Sequence, residues 1–401
     1  MNPDMLPFDE ALSSLLAKAR PIREMEMVDT LMAHGRVLAA DVRSPFAVPA
    51  LDTSMMDGYA VRTCDVVAAG ARLPVSQRIP AGSVGTTLQP GTAARIFTGA
   101  PVPPGADAVV MQELCEHAGD EVIINHAPRA GEAMRAAGSE IATGDVVLPA
   151  ATRMRAQEIG LAASVGIAQL AVVRRMRVAL FSTGDELVMP GESLPPGGVY
   201  NSNRFQLRVL LEQLGCAVTD FGIVPDRLDT TRAVLREAAE GHDLILTSGG
   251  VSVGEEDHVK PAVQAEGSLD LWKIAMKPGK PLAYGQVGTA AFIGLPGNPV
   301  SSFVTFLLMV RPFILATQGA ASVIPKALTL RADFDWPRPD RRREFLRARI
   351  NDSGAVEIHG NQGAAALSSI VWAEGLADVP AETPIRKGEM IRFLPYGQLL
   401  C

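Results

Sequence analysis

Three lysines fall within eight residues in the stretch Lys273-Ile274-Ala275-Met276-Lys277-Pro278-Gly279-Lys280-Pro281. Two of them, Lys277 and Lys280, flank a Pro-Gly turn, and a proline follows each, so the backbone that carries these cations has restricted freedom. Apolar segments on both sides (Leu269 to Trp272, Leu282 to Gly285) argue that the loop emerges from a sheet rather than from a solvated surface turn. Cations held in this way suit phosphate or another oxyanion.

Three further polar strings stand near the ends of short apolar runs. Thr247-Ser248-Gly249-Gly250-Val251-Ser252-Val253-Gly254 is rich in glycines that accept positive φ, so its backbone N–H groups can cradle phosphate oxygens. Taken alone, such a loop serves equally as a tight strand–helix turn. Leu295-Pro296-Gly297-Asn298-Pro299-Val300-Ser301 places Asn298 as a helix N-cap and Pro299 at the first helical position. Simple capping accounts for that string by itself, while a helix start can also receive an anion. Ser182-Thr183-Gly184-Asp185-Glu186 supplies carboxylates, and Asp226 and Asp257 stand at other strand ends. Each acid alone reads as a cap or surface charge. Together with lysines and a phosphate cradle, Glu186, Asp226 and Asp257 suggest a divalent metal, because Mg²⁺ takes one or two carboxylates plus phosphate oxygens.

The elements that must position these groups follow from periodicity. MRVALF, CAVTDFGIV and HDLILTSGG read as buried strands, and NSNRFQLRVLLEQLG and LDTTRAVLREAAEG as the helices between them, with Asp229 a candidate N-cap. Alternation of strand and helix implies a parallel sheet with right-handed crossovers. Ligands in such sheets sit beyond the carboxyl ends of the strands, where the polar strings lie. Residues 5 to 40 and 152 to 164 read as helical, and 44 to 148 as a β-rich module, with RIFTG, DAVVM, EVIINH and DVVLP as short strands. Residues 323 to 401 return to short strands and turns. The expected division is therefore 1–43 with 149–174 helical, 44–148 inserted β module, 175–322 α/β and 323–401 terminal β domain.

Bulk properties exclude several classes. The 401 residues carry a formal net charge of −7 and 5% aromatics, with no long Lys/Arg run, so nucleic acid is not an expected partner. Cys64, Cys115, Cys216 and Cys401 are scattered without a CxxC pair, which argues against a zinc site. The first residues lack the basic and apolar regions of a signal peptide, and the most apolar stretch, Phe303 to Thr317, is interrupted by Arg311 and Pro312. A cytoplasmic, non-membrane protein is expected.

Seven strings in order, SMMDGYAVR, RIFTGAPVPPGADAVVMQE, FSTGDEL, YNSNR, TSGGVSVGEEDHVK, WKIAMKPGKP and GLPGNPVSS, resemble the molybdopterin molybdenumtransferase family, which includes the E domain of gephyrin. The resemblance spans residues 5 to 398. It implies a transferase of molybdenum cofactor biosynthesis that binds adenylylated molybdopterin and molybdate, cleaves the phosphoanhydride, releases AMP and leaves molybdenum on the dithiolene, with Mg²⁺ assisting. It implies a multidomain α/β plus β fold: a three-layer α/β molybdopterin-binding domain with a parallel sheet, an inserted β-rich module, a helical linker domain and a small β-barrel-like terminal domain, assembled as a homodimer. Molybdopterin adenylyltransferase and apo-molybdoenzyme chaperones come with it as partners. Carried onto this chain, the family's catalytic positions fall on Asp57, Glu186, Asp226, Asp257, Lys273 and Lys277. Thr98, Lys280, Pro296, Pro299 and Arg347 carry over as substrate-binding positions, joined from the motifs by Ser248, Gly249, Gly250, Ser252, Pro281, Gly297, Asn298 and Ser301. Two positions depart from the family's pattern: Glu140 stands where an aspartate is usual, and Ala364 follows Gln362-Gly363 where a serine is usual, so a serine contact to molybdate falls to Ser368 or Ser369. The alternatives are a molybdopterin adenylyltransferase-like enzyme, which needs no counterpart of the first 170 residues, or a scaffold paralogue, which would tolerate loss of Lys277 and Asp226.

Overall fold

The computed structural model describes residues 5–251 and 258–400, so Ser252 and Asp257 lie outside the described residues. The apolar runs of the α/β region form one six-stranded sheet in the order Ala217–Val224, Arg177–Thr183, Leu244–Ser248, Ala290–Leu295, Pro281–Val287, Gly267–Lys273. The first four strands are parallel, as the alternation of strand and helix predicts. The sheet as a whole is mixed, because Pro281–Val287 runs antiparallel to both of its neighbours. The two-residue Gly288-Thr289 connection permits only a hairpin there, since a parallel neighbour would need a long crossover.

Helices cover both faces of this sheet. Ser202–Gln213 buries Leu207, Leu210 and Leu211 on one face, and its N-cap Asn201 accepts from the Arg204 N–H at 3.1 Å. Leu228–Ala239 buries Thr231, Leu235 and Ala238 on the other. Its N-cap is Arg227 rather than Asp229, which sits one position inside the first turn, where its charge still favours the helix dipole. The long apolar segment is continuous helix over Pro299–Thr317, with one π-type turn at Phe306–Val310. Arg311 and Pro312 do not break it, because Pro312 stands at the first turn of the α-helical segment resuming at Arg311. Its most apolar 18 residues have a mean hydropathy of 1.8 and are 94% buried, so it is the core helix of this domain.

The N-terminal segment departs from the helical expectation. Among the described residues before 40, only Phe8–Ala17 is a regular α-helix, and it packs Phe8, Ala11 and Leu15 into the α/β core. Met25–Asp29 is a strand, paired antiparallel with Gln169–Val173. The physical reason is tertiary: the ladder to Gln169–Val173 satisfies its backbone and packs Val28 against the core, while Leu31 and Met32 of the helical spacing are exposed. Ala156–Ser164 is helical, as expected. In the β module Ala108–Met111, Gly58–Val61, Ala93–Ile96, Ala71–Ile79, Glu121–Ile124 and Cys115–Ala118 form a single sheet in that order. Val146–Leu148 belongs outside it, since it pairs with Val42–Arg43 and stitches together the two chain crossings into the module.

The terminal domain holds a sheet of Arg343–Ile350, Gly375–Val379, Met390–Pro395 and Leu328–Arg331, and a bridge between Ala332 and Val356 brings its edges together in a barrel-like curl. Its outermost strand is borrowed. Met276–Lys277, from the lysine loop of the α/β domain, pairs in parallel with Arg343–Glu344. That short ladder fixes the lysine turn between two domains.

Candidate active site

A cavity of about 1270 Å³ opens where the carboxyl ends of the parallel strands meet the terminal domain. Thr183, Gly184 and Glu186 enter it from one strand end, Asp226 from a second, and Gly249 and Gly250 from a third. The lysine turn contributes Lys277, Lys280 and Pro281, and the last strand end contributes Pro296, Gly297, Asn298, Pro299 and Ser301. The terminal domain supplies the opposite wall through Arg342 and Gln362 to Ala365. A separate cavity of about 880 Å³ between Phe8 and Arg343 is lined by none of the candidate residues.

Glycine is required at the floor of the larger cavity. Gly249 and Gly250 have φ of +90° and +65°. A Cβ on Gly249 would lie 2.7 Å from the Thr183 carbonyl oxygen, and one on Gly250 would lie 2.3 Å from Val259 Cγ2. The loop thus presses bare backbone against the neighbouring strand end, leaving room for a bulky anion above it. Ser248 turns the other way: it is 2% exposed, and its hydroxyl meets Ser182 Oγ at 3.3 Å inside the sheet. Asn298 occupies the N-cap position without a side-chain cap bond. The helix start is tied down instead by Asn203 Nδ2, which donates to the Gly297 carbonyl at 2.7 Å.

The acids gather as the strand ends predict. Asp226 N–H donates to Asp185 Oδ1 at 3.1 Å, and burial, followed by the charges of Asp185 and Glu186, pushes the Asp226 carboxyl above its usual range. The opposing charge of His258 offsets this only in part. The Lys277 ammonium is engaged with the terminal domain instead, 3.0 Å from Glu344 Oε1 and 3.4 Å from Asp340 Oδ2. Lys280 is exposed on the cavity wall. Lys273, the last residue of its strand, is exposed and stands outside that wall; its carbonyl accepts from the Leu6 N–H at 2.8 Å.

Arg347 is in a different position from the one expected of a residue that meets an oxyanion directly. It is 1% exposed, and its guanidinium donates to Ser369 Oγ at 3.2 Å and to the Phe345 and Gly363 carbonyls at 3.4 Å. Burial pulls its pKa down to about 10. Gln362 clasps the same residue, accepting from the Arg347 N–H at 2.9 Å and donating to its carbonyl at 3.0 Å. Arg347 thus supports the 362–365 wall from behind, with Ser369 wholly buried beside it and Ser368 exposed outside the wall. Ala364 sits in the wall itself and its carbonyl accepts from the Val300 N–H at 3.0 Å. Arg347→Ala is expected to cost about 2–4 kcal/mol of stability through lost packing. It should also make the 359–369 loop protease-sensitive. A variant with wild-type melting and a purely oxyanion-specific defect would show instead that the side chain reaches substrate.

Asp57 and Thr98 are brought together, but elsewhere. Asp57 Oδ1 accepts from the Thr98 N–H at 2.8 Å and from Thr98 Oγ1 at 2.7 Å, and these bonds hold the carboxyl below its usual range. Neither residue lines the cavity of its own chain. Glu140 is exposed in the same module.

Wall residues to which sequence reasoning gave no role include Tyr200 and, from the terminal domain, Arg342, while Thr183 and Gln362 entered it only as members of longer strings. Arg342 is fixed by Asp340, with Nε at 3.0 Å from Oδ1 and Nη2 at 2.8 Å from Oδ2. The arginine run Arg341 to Arg343 was the available signal, but only the borrowed strand brings it to this cavity.

Comparison with known proteins agrees with this arrangement. Residues 6–166 match the MoeA N-terminal region (domain I and II), 179–316 the probable molybdopterin binding domain, and 329–396 the MoeA C-terminal region (domain IV). The chain is 37% identical to the molybdopterin molybdenumtransferase of Haemophilus influenzae over 99% of this chain and all of that protein. It is 37% identical to molybdopterin molybdenumtransferase 2 of Mycobacterium tuberculosis, over 92% of this chain and 94% of that one. The crystal structure of a molybdopterin biosynthesis moeA protein from Pyrococcus horikoshii OT3 superposes with a TM-score of 0.85 at 27% identity, covering 98% of this chain and 100% of that one. With its three family regions in order and its relatives matched end to end, the chain belongs to the molybdopterin molybdenumtransferase family.

Proposed function

We propose that this transferase inserts molybdenum from molybdate into the dithiolene of adenylylated molybdopterin, with cleavage of the phosphoanhydride and release of AMP. The observation that carries the reading is the convergence, in one cavity, of a bare glycine floor, two lysines and a pair of carboxylates at the ends of one sheet. The glycine loop and the start of the Pro299 helix receive phosphate oxygens. Lys277, Lys280 and Arg342 neutralise the anionic substrate and the charge that grows on the bridging oxygen. The wall from Gln362 to Ala365 closes the molybdate side and excludes water.

Glu186 and Asp226 fit a hard divalent cation, because the Asp226 carboxylate is disfavoured by burial and by the charges of Asp185 and Glu186, and open cavity lies beside it. Mg²⁺ bound there would polarise the phosphoanhydride. Asp57 and Thr98 complete the site from a second subunit, so the functional unit is a cytoplasmic homodimer. The domain division at residues 43, 148, 174 and 322 belongs to the same proposal.

Incubation with adenylylated molybdopterin, molybdate and Mg²⁺ should release AMP, and omitting molybdate or adding excess chelator should stop it. Consumption of ATP in place of the adenylylated pterin would indicate an adenylyltransferase. Full AMP release in chelator would remove the metal from the scheme.

A further inference from the structure

The ion pair between Lys277 and Glu344 has a property that a simple structural bridge lacks. The Glu344 side chain is 1% exposed, and its two oxygens are treated differently. Oε2 accepts from Trp336 Nε1 at 2.7 Å and from the Asp340 N–H at 2.9 Å. Among the described residues Oε1 is met by the Lys277 ammonium, 3.0 Å away and out of line for a hydrogen bond. Asp340 Oδ2, 3.4 Å from the same ammonium, is already occupied by Arg342 Nη2. Lys277 is therefore held by two negative charges without an aligned hydrogen bond to either. Its position is set while its N–H groups stay available, and its side chain is 42% exposed toward the cavity that it lines.

We infer that Glu344 is a positioning residue for Lys277: a buried carboxylate of the terminal domain that presets the ammonium for an incoming phosphate without touching it. The inference rests on the function proposed above. A lysine on a four-carbon stem loses rotamer entropy whenever it is ordered on a ligand, and a preset ammonium has lost most of that freedom beforehand. Glu344 lies outside the cavity wall, so it reaches the ligand through Lys277, and through Asp340 and Arg342 only by way of Oε2, an acceptor that Glu344→Gln keeps. The placement is encoded by the two-residue parallel ladder that sets Lys277 beside Glu344. In turn, Lys277 is the counter-charge that Oε1 needs, because a buried carboxylate without one is costly.

The test is a double-mutant cycle over Lys277→Ala, Glu344→Gln and the pair, read by calorimetric binding of inorganic pyrophosphate, by kcat/KM for AMP release and by melting. Glu344→Gln preserves volume and an acceptor for Trp336 and Asp340. It should weaken pyrophosphate binding and lower kcat/KM about tenfold, the scale of one charge-assisted contact. On the Lys277→Ala background the same change should cost nothing further, and should recover melting temperature by removing an orphaned buried charge. A merely structural Glu344 would lower melting in both backgrounds, with losses in binding that multiply. That result, unchanged binding in Glu344→Gln, or no binding of pyrophosphate by the wild type would each overturn the inference. If the cycle behaves as expected while wild type releases no AMP, the function reading fails and the positioning role stands. If AMP release is normal and the two positions show no coupling, the function stands and the positioning role fails.

Discussion

Co-expression of Asp57→Ala and Lys277→Ala chains is expected to restore about a quarter of wild-type AMP release, although each variant alone is inactive. Asp57 and Thr98 form a tight hydrogen-bonded pair in the β module, yet the cavity that holds Lys277, Lys280 and Asp226 is lined by neither. A family position that stays outside its own chain's site calls for a second copy. In the two-fold dimer proposed above, the module of one subunit would face the sheet of the other, and symmetry would build two composite sites. A mixed dimer then places both lesions in one site and leaves the other intact. With about half the dimers mixed, and one good site of two in each, the recovery follows. Chains tagged differently and purified as the mixed dimer should reach about half of wild-type activity per dimer. If both residues served the same chain, every site would retain a lesion and no activity would return.

Asp226→Asn should abolish most activity while leaving the protein as stable as wild type, or more so, in metal-free buffer. The Asp226 carboxyl is raised above its ordinary range by burial first, then by Asp185 and Glu186. The sign follows from linkage: a carboxyl with a folded pKa above its unfolded value favours folding when protonated, and that contribution is lost as pH rises through the folded value. At neutral pH the ionised form therefore strains the fold, and the amide relieves it. The same repulsion favours a divalent cation, whose binding reverses the balance. Added Mg²⁺ should then raise the melting temperature of wild type by mass action and that of the variant much less. The rate loss should be on the order of a hundredfold, the scale of removing one electrostatic stabiliser from a transition state. Because the cation needs the ionised carboxylate, activity at limiting Mg²⁺ should fall on acidification at a higher pH than an ordinary aspartate would give, and saturating Mg²⁺ should move that fall to lower pH. Lower metal-free stability with unaltered activity would assign Asp226 a structural role instead.

Much of the α/β domain was legible because its signals are local. Runs such as Val178 to Phe181 are buried on both faces and so are apolar throughout, and the helix at Ser202–Gln213 carries its cap and its stop within a few residues. The places where local reading failed have a common cause. Met25–Asp29 has too few residues for its pattern to separate strand from helix, and its partner is Gln169–Val173, far along the chain. Pro281–Val287 reverses direction because the hairpin is too short to cross over, which sheet membership reveals and composition does not.

The candidate site divides along the same line. Sequence by itself determined the chemistry available: glycines at 249 and 250, acids at 186 and 226, lysines at 277 and 280, each beside a strand end where a parallel sheet presents ligands. The glycines and acids were assigned from the strand–turn–helix spacing around each, and the lysines from the Pro-Gly turn and the apolar segments that flank it. Tertiary structure alone decided which charges meet. Lys277 is paired with Glu344 and Asp340 because a two-residue strand joins the terminal sheet; Arg342 reaches the cavity by the same ladder; Arg347 is withdrawn behind Gly363; and Asp57 is held by Thr98 away from its own chain's cavity. Pairing between short strands distant in sequence is selected by the packing of whole domains, and neither partner carries a local mark of the other.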